Sequence, residues 1–193
     1  MILRWNNIKE KVNYRINVCP NRTISDPNEI IIYETYAEII LYNRKLIEIA
    51  KTQIDIDDIN KIKDYKWRLT HQGYVKTGIE TTGLHQIIMN CVNDKLIIDH
   101  NDLNRLNNRK SNLRYATHSQ NHMNTRIQPN NTSGVRGVTW DKNNNQWMAR
   151  IKINNKQIHL GRYNIFEDAV NTRKKAEDMY FKEFKYKEVI HNE

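Results

Sequence analysis

The sequence predicts an α+β protein in three parts. They are a small N-terminal α+β module, a strand–loop–strand–helix core, and a C-terminal three-stranded antiparallel sheet packed on one helix. Three observations carry the prediction. First, EIIIYETYAEIILYN over 29–43 is rich in β-branched and aromatic residues and broken by turn formers, as short strands are. Second, the stretch 84–124 centres on IIDHNDLN (97–104), NLR (112–114) and SQNH (119–122). An apolar run ending in Asp-His reads as a strand that delivers two polar side chains to one end. Third, 135–184 gives three strand-length runs and then apolar residues at helical spacing.

Taken in order, residues 1–28 are mixed and carry prolines within Cys19-Pro20-Asn21-Arg22 and Asp26-Pro27-Asn28. They read as a loosely structured lead-in or linker to which no function is assigned. The module at 29–80 then begins with one or two strands over 29–43 and another over 45–55, with Asn43-Arg44 as the turn. Over 55–67, Ile59, Ile62 and Tyr65 recur at helical spacing behind an Asp-rich first turn, which the helix dipole favours. A hairpin follows over 66–79, turning at Gln72-Gly73, with Trp67 and Tyr74 expected in the core.

The core occupies 81–127. Its Asn/Asp-rich segment 101–111 has turn chemistry, because those side chains bond their own backbone and tolerate left-handed conformations. The run 112–117 is a returning strand, and Thr117 or Ser119 is the N-cap of a short helix carrying Asn121. This scaffold can aim Asp99, His100 and Asn121 at one spot, and the set suits metal-assisted hydrolysis of a phosphodiester. A hard cation such as Mg²⁺ takes oxygen ligands, and the Asp99 carboxylate and Asn121 amide supply two while leaving room for water and phosphate. A histidine side chain ordinarily titrates near neutrality, so His100 can take a proton from the attacking water. His85 reads either as a contact to DNA or the site, or as a packed helix-start histidine. His118 and His122 read as exposed helix residues.

After a linker at 128–134, the C-terminal module (135–187) places VRGVTWD, QWMARIKI and QIHLGRY as strands. In the second, Trp147, Ala149, Ile151 and Ile153 alternate with Met148, Arg150 and Lys152, so one face is apolar and the other basic. Asn164 with Glu167 suggests a capped helix start. The stripe Phe166, Ala169, Val170, Arg173, Ala176, Tyr180, Phe181 and Phe184 should cover the apolar face. Arg136, Thr139, Arg150, Lys152 and Arg162 then face outward. Such a sheet fits the DNA major groove, where Arg pairs with guanine.

Two resemblances rest on these residues. Asp99-His100, Asn112-Leu113-Arg114 and Gln120-Asn121, with LHQIIM (84–89) ahead of them, resemble the three signatures of the HNH homing endonucleases and their ββα-metal fold. The resemblance implies His100 as general base, Asp99 and Asn121 as metal ligands, Asn112 holding the loop by backbone hydrogen bonds, and Arg114 near the site, at a phosphate. The family often carries a second His at the third position. This chain has Asn121 there, as phage-type members do, with His122 as the other candidate. SGVRGVTW, WMARIKI, IHLGRY and EDAV are similar, in order, to the ethylene-response-factor type of DNA-binding domain. That likeness puts Arg136, Gly137, Thr139, Arg150 and Lys152 where the family touches DNA. Thr139 and Arg150 differ from the usual plant residues, so no plant target sequence is implied.

Composition agrees. The 193 residues carry a formal charge of +9, which suits a polyanionic partner, most often nucleic acid. Cys19 and Cys91 are far apart, without a Cys-x-x-Cys, which argues against zinc and against a disulfide framework. No run approaches ~18 apolar residues, so no membrane span is expected. The start, Met1-Ile2-Leu3-Arg4-Trp5, lacks a signal-peptide layout, and the expected location is the cytoplasm of a bacterial or virus-infected cell. The reading is a site-specific DNA endonuclease of the homing or mobile-element kind. It uses one Mg²⁺ (or Mn²⁺) per active site and acts on double-stranded DNA, with no protein partner implied. The alternative is a DNA-binding regulator with an inactive nuclease, against which stands the presence of Asp99, His100 and Asn121 together. An RNA-directed enzyme is a weaker third reading, because the narrow RNA major groove would not admit the sheet.

Overall fold

The structure, a computed structural model, describes residues 12–77, 82–91 and 95–186. The far end of the hairpin expected over 66–79 and the last residue of the C-terminal module lie outside the described residues. The chain is mixed α+β, with several small sheets and few helices. Contacts divide it into two compact units, 1–94 with 104–114, and 95–103 with 115–193. The expected linker at 128–134 lies within the second.

In the first unit, β1 (Tyr14–Ile16), β2 (Ile30–Ile32), β3 (Ala37–Tyr42) and β4 (Glu48–Ile54) form an antiparallel sheet in sequence order. Strand β1 lies within the expected loosely structured lead-in or linker at 1–28, where Tyr14, Arg15 and Ile16 pair with Ile32, Ile31 and Ile30. Three residues are too few to show alternation in the sequence. Arg22 fixes the segment after β1 by donating to the carbonyls of Pro27 and Asn17, both at 2.6 Å. Between β3 and β4 the Asn43 side chain accepts from the amides of Lys45 and Ile47, the turn chemistry its sequence announced.

The helix expected over 55–67 is much shorter. A 3₁₀ turn (Ile56–Asp58) leads into α1 (Ile59–Ile62), and the chain then leaves for β5 (Trp67–Leu69). Trp67 explains the stop. Its indole is 1% exposed and donates to the Ile62 carbonyl at 3.0 Å, occupying an acceptor a longer helix would use. Tyr65 is left exposed rather than facing the core. Strands β5 and β6 (Val75–Thr77) form the expected hairpin, with Gly73 at φ +83, which favours glycine. Helix α2 (Leu84–Met89) buries Leu84, His85 and Ile88. Buried Asn28 crosslinks this unit, its amide donating to the Ile40 carbonyl and its oxygen accepting from the Trp67 amide, both at 2.6 Å.

In the second unit, β7 (Ile97–His100) and β8 (Leu113–Ala116), whose last two residues belong here, form a two-stranded sheet before α3 (His118–Met123). The C-terminal sheet has the order β11 (Lys156–Tyr163), β10 (Gln146–Ile153), β9 (Val138–Asp141), all antiparallel, with α4 (Phe166–Phe181) packed on one face. Asn164 does not cap α4. Its side-chain oxygen accepts from the Gln146 amide at 2.9 Å, and Ile165 stands at the cap position without a side-chain bond. One apolar cluster joins the two layers of this unit. Ala116 and Met123 pack with Ile151, Ala176, Phe181 and Phe184, flanked by Ile97, Ile153 and Leu160.

Candidate functional site

Strand β7 ends in Asp99 and His100, each 4% exposed. The chain turns straight afterwards, with the His100 carbonyl accepting from the Leu103 amide at 3.0 Å and Leu103 at φ +61. A branched residue in that region is uncommon, so the turn behind the Asp-His pair stores strain of order 1 kcal/mol.

A side chain outside the expected set organises this corner. Asn124, 1% exposed, directs its amide nitrogen at both Asp99 carboxylate oxygens (3.1 and 3.3 Å) and at the carbonyls of His100 (3.0 Å) and Asn101 (3.3 Å). With the amide reversed, its oxygen would face a carboxylate and two carbonyls, so the partners fix its orientation. The Asn124 side-chain oxygen is itself buried with no hydrogen-bond partner. Asn124 stands three positions after Asn121, the spacing of neighbours on a helical turn.

Helix α3 carries Asn121, half-buried, and is held at both ends. At its start, Thr117 accepts from the Gln120 amide (3.2 Å) while the Gln120 side chain accepts from the Thr117 amide (2.8 Å), a reciprocal capping box. At its far end, Arg136 donates to the carbonyls of His122 (2.7 Å), Met123 (3.0 Å) and Thr125 (3.2 Å). Arg136 was expected to face outward, but these carbonyls take its guanidinium because the end of a helix leaves acceptors unfilled. His122 is exposed on α3, and only its carbonyl is drawn into this arrangement.

In the first unit, the Asn-rich loop is bound to strand β4. The Gln53 amide donates to the Leu106 carbonyl and the Asn108 amide to the Gln53 carbonyl, both at 2.8 Å. The buried Asn108 amide group donates to Thr52 Oγ1 at 2.8 Å. Asp55 accepts from Arg109 Nε (3.0 Å) and from the Lys110 amide (2.8 Å). Asn112 is buried and donates to the Asn107 carbonyl at 2.8 Å, closing the loop on itself. Arg114 is half-buried on β8. His85 is buried on α2 with its ring tilted against Tyr74, centroids 5.5 Å apart.

On the C-terminal sheet, cross-strand neighbours share a face. Pairing of Met148 with Thr139 and with Arg162 puts those three on the side of Arg150 and Lys152, away from α4. Arg162 is held there by Asp141 at 3.2 Å. Gly137, at φ +76, lies against the Arg150 carbonyl and the Arg173 side chain so closely that no Cβ could be added. Arg173, placed by its spacing among the apolar residues of α4, is 2% exposed. It donates from Nε to the Arg136 carbonyl (2.8 Å) and pairs through Nη2 with Glu177 (3.0 Å). Burial lowers the pKa of both Arg136 and Arg173 from the usual arginine value.

Residues 89–123, which hold β7, the Asn-rich loop, β8 and α3, match the HNH endonuclease family. The C-terminal module lies outside that match. The chain is similar to a protein named an uncharacterized HNH endonuclease of Acanthamoeba polyphaga mimivirus, 32% identical over 126 residues, covering 62% of this chain and 66% of that one. It is also similar to Protein 3.8 of Escherichia phage T7, 34% identical over 70 residues, covering 36% of this chain and 58% of that one. The chain thus spans less than two thirds of the length of each relative. No solved structure matches it. Among the described residues no helix is long and apolar enough to cross a membrane, and none of their His, Cys, Asp and Glu gather in threes as a metal cluster.

Proposed function

We propose that the chain is a metal-dependent DNA endonuclease in which Asp99 and Asn121 hold the metal and His100 is the general base. The observation that carries the reading is the buried Asp99-His100 pair at the end of β7, its carboxylate oriented by Asn124, inside the segment that matches the HNH family. The donors fit a hard divalent cation. Asp99 and Asn121 offer oxygen, and the Asn124 side-chain oxygen, buried without a hydrogen-bond partner, is a further oxygen donor. Such a set of one carboxylate with amides contains no cluster of three acidic, His or Cys residues. A bound Mg²⁺ or Mn²⁺ supplies polarisation of the phosphoryl oxygen and stabilises charge on the leaving oxygen.

The chain's own residues do the rest. His100 takes a proton from water as the water oxygen bonds to phosphorus and one P–O ester bond breaks, leaving a phosphomonoester and an alkoxide that takes its proton from solvent water. Asn124 keeps the Asp99 carboxylate from rotating. Asn112 keeps the Asn-rich loop closed, and Arg114 meets a phosphate. The outward residues Thr139, Arg150, Lys152 and Arg162 lie on the major groove of double-stranded DNA. The C-terminal sheet is read as the ethylene-response-factor-like recognition module, and site-specific cutting of the homing or mobile-element kind follows from separating recognition from cleavage. Cleavage of supercoiled plasmid with Mg²⁺, with chelator, and by Asp99→Ala tests the metal centre. Nicking or linearisation that needs the metal and disappears in the variant is expected. Equal cleavage in chelator overturns the reading, and tight salt-sensitive binding without any cleavage favours the regulator.

A further inference from the structure

The second unit holds a pocket of about 180 Å³ between the start of β9, the middle of β10 and helix α4, lined among others by Arg136, Arg150, Lys152, Arg173 and Phe181. Its volume is several times the ~30 Å³ share of one water molecule. The guanidinium groups of Arg136 and Arg173 therefore border one small space, and Arg150 and Lys152 line it from strand β10. The guanidinium carbons of Arg136 and Arg173 stand 5.8 and 5.3 Å from the centroid of the Phe181 ring. Glu177 answers part of this charge, through its 3.0 Å pair with Arg173 Nη2. Arg173 Nη1 is buried and has no hydrogen-bond partner. A buried cationic donor without an acceptor is costly, and Arg remains charged at neutral pH. A tetrahedral anion with several acceptor oxygens meets both demands at once.

We infer that this pocket is a binding site for one phosphoryl group, with Arg173 as its buried anchor and Lys152 at its mouth. The inference deepens the DNA-binding reading and rests on it for one of two sources of the anion, a backbone phosphate of bound DNA. The other source is a free phosphate. In either case the occupant sits against Arg136, whose guanidinium closes the end of the helix that carries Asn121.

The test uses the full chain and its variants Arg173→Gln, Lys152→Gln and Arg162→Gln. Lys152 is exposed, so its replacement spares the fold even if Arg173→Gln does not. Two quantities are read: the melting shift caused by inorganic phosphate against chloride at equal ionic strength, and the salt slope of binding to a duplex. A phosphate-specific stabilisation is expected, lost in Lys152→Gln and Arg173→Gln but retained in Arg162→Gln, which lies outside the pocket. If the source is DNA, phosphate also competes with duplex, and the slope falls by about one in the two pocket variants. If the source is free phosphate, the slope of Arg173→Gln stays at the wild-type value while the phosphate response is lost. A wild-type response no larger than that to chloride, with an unchanged slope in Arg173→Gln, overturns the inference, and so does a response that survives both pocket substitutions. Neither quantity depends on cleavage, so failure of the nuclease reading leaves the test intact.

Discussion

At the scale of single residues, Asn121 and Asn124 divide the labour of one helix end. Asn124 is buried and its amide nitrogen faces four oxygens, so Asn124→Ala removes these contacts and should cost about 1–3 kcal/mol of stability, read by urea unfolding. Asn121 is half-buried, and Asn121→Ala should change stability by no more than about 0.5 kcal/mol while removing metal-dependent cleavage. A stability loss at Asn121 equal to that at Asn124 would show both residues to be structural. Asp99, His100 and Asn121 stand out in the sequence because type and spacing together suggest the chemistry proposed for them. Asn124 and Arg173 were not legible, because their roles come from what surrounds them. One stands against a carboxylate that only the fold brings near, and the other falls by its spacing within an apolar stripe.

At the scale of elements, α3 has only six residues and depends on its ends rather than on its length. Thr117→Ala removes one half of the capping box and should cost about 1 kcal/mol, visible as faster amide exchange over 118–123. Unchanged exchange there would mean that Arg136 and packing alone hold the helix. Short strands with strong turn signals were legible in advance, as the hairpin at Gly73 and the turn at Asn43 show. The helix expected as far as Trp67 was not, because the tryptophan that ends it acts through an indole hydrogen bond that periodicity does not express. The same holds for Asn164, whose cap-like spacing with Glu167 is overridden by a bond to Gln146 in a neighbouring strand.

At the scale of the whole molecule, the segment that matches the HNH family contributes to both compact units, and α3 shares one apolar cluster with the C-terminal sheet and helix. A chain ending at residue 129 would therefore lose Ile151, Ala176, Phe181 and Phe184 from around Ala116 and Met123. Truncation is expected to melt α3 and abolish cleavage as well as weaken DNA binding, with loss of protection over 118–123 as the check. A truncated chain that still cuts would show the nuclease segment to be self-sufficient. Substitutions on the outward face, such as Arg150→Gln, are the gentler probe of recognition, and should weaken binding while leaving the melting temperature in place. In the proposed mechanism His100 activates water beside a metal held by Asp99 and Asn121. Its most direct measurement compares wild-type protein with His100→Ala, under Mg²⁺, for cleavage of supercoiled plasmid and for binding of the same DNA. Binding that is nearly intact with cleavage abolished is the predicted result; cleavage by His100→Ala at the wild-type rate would contradict it.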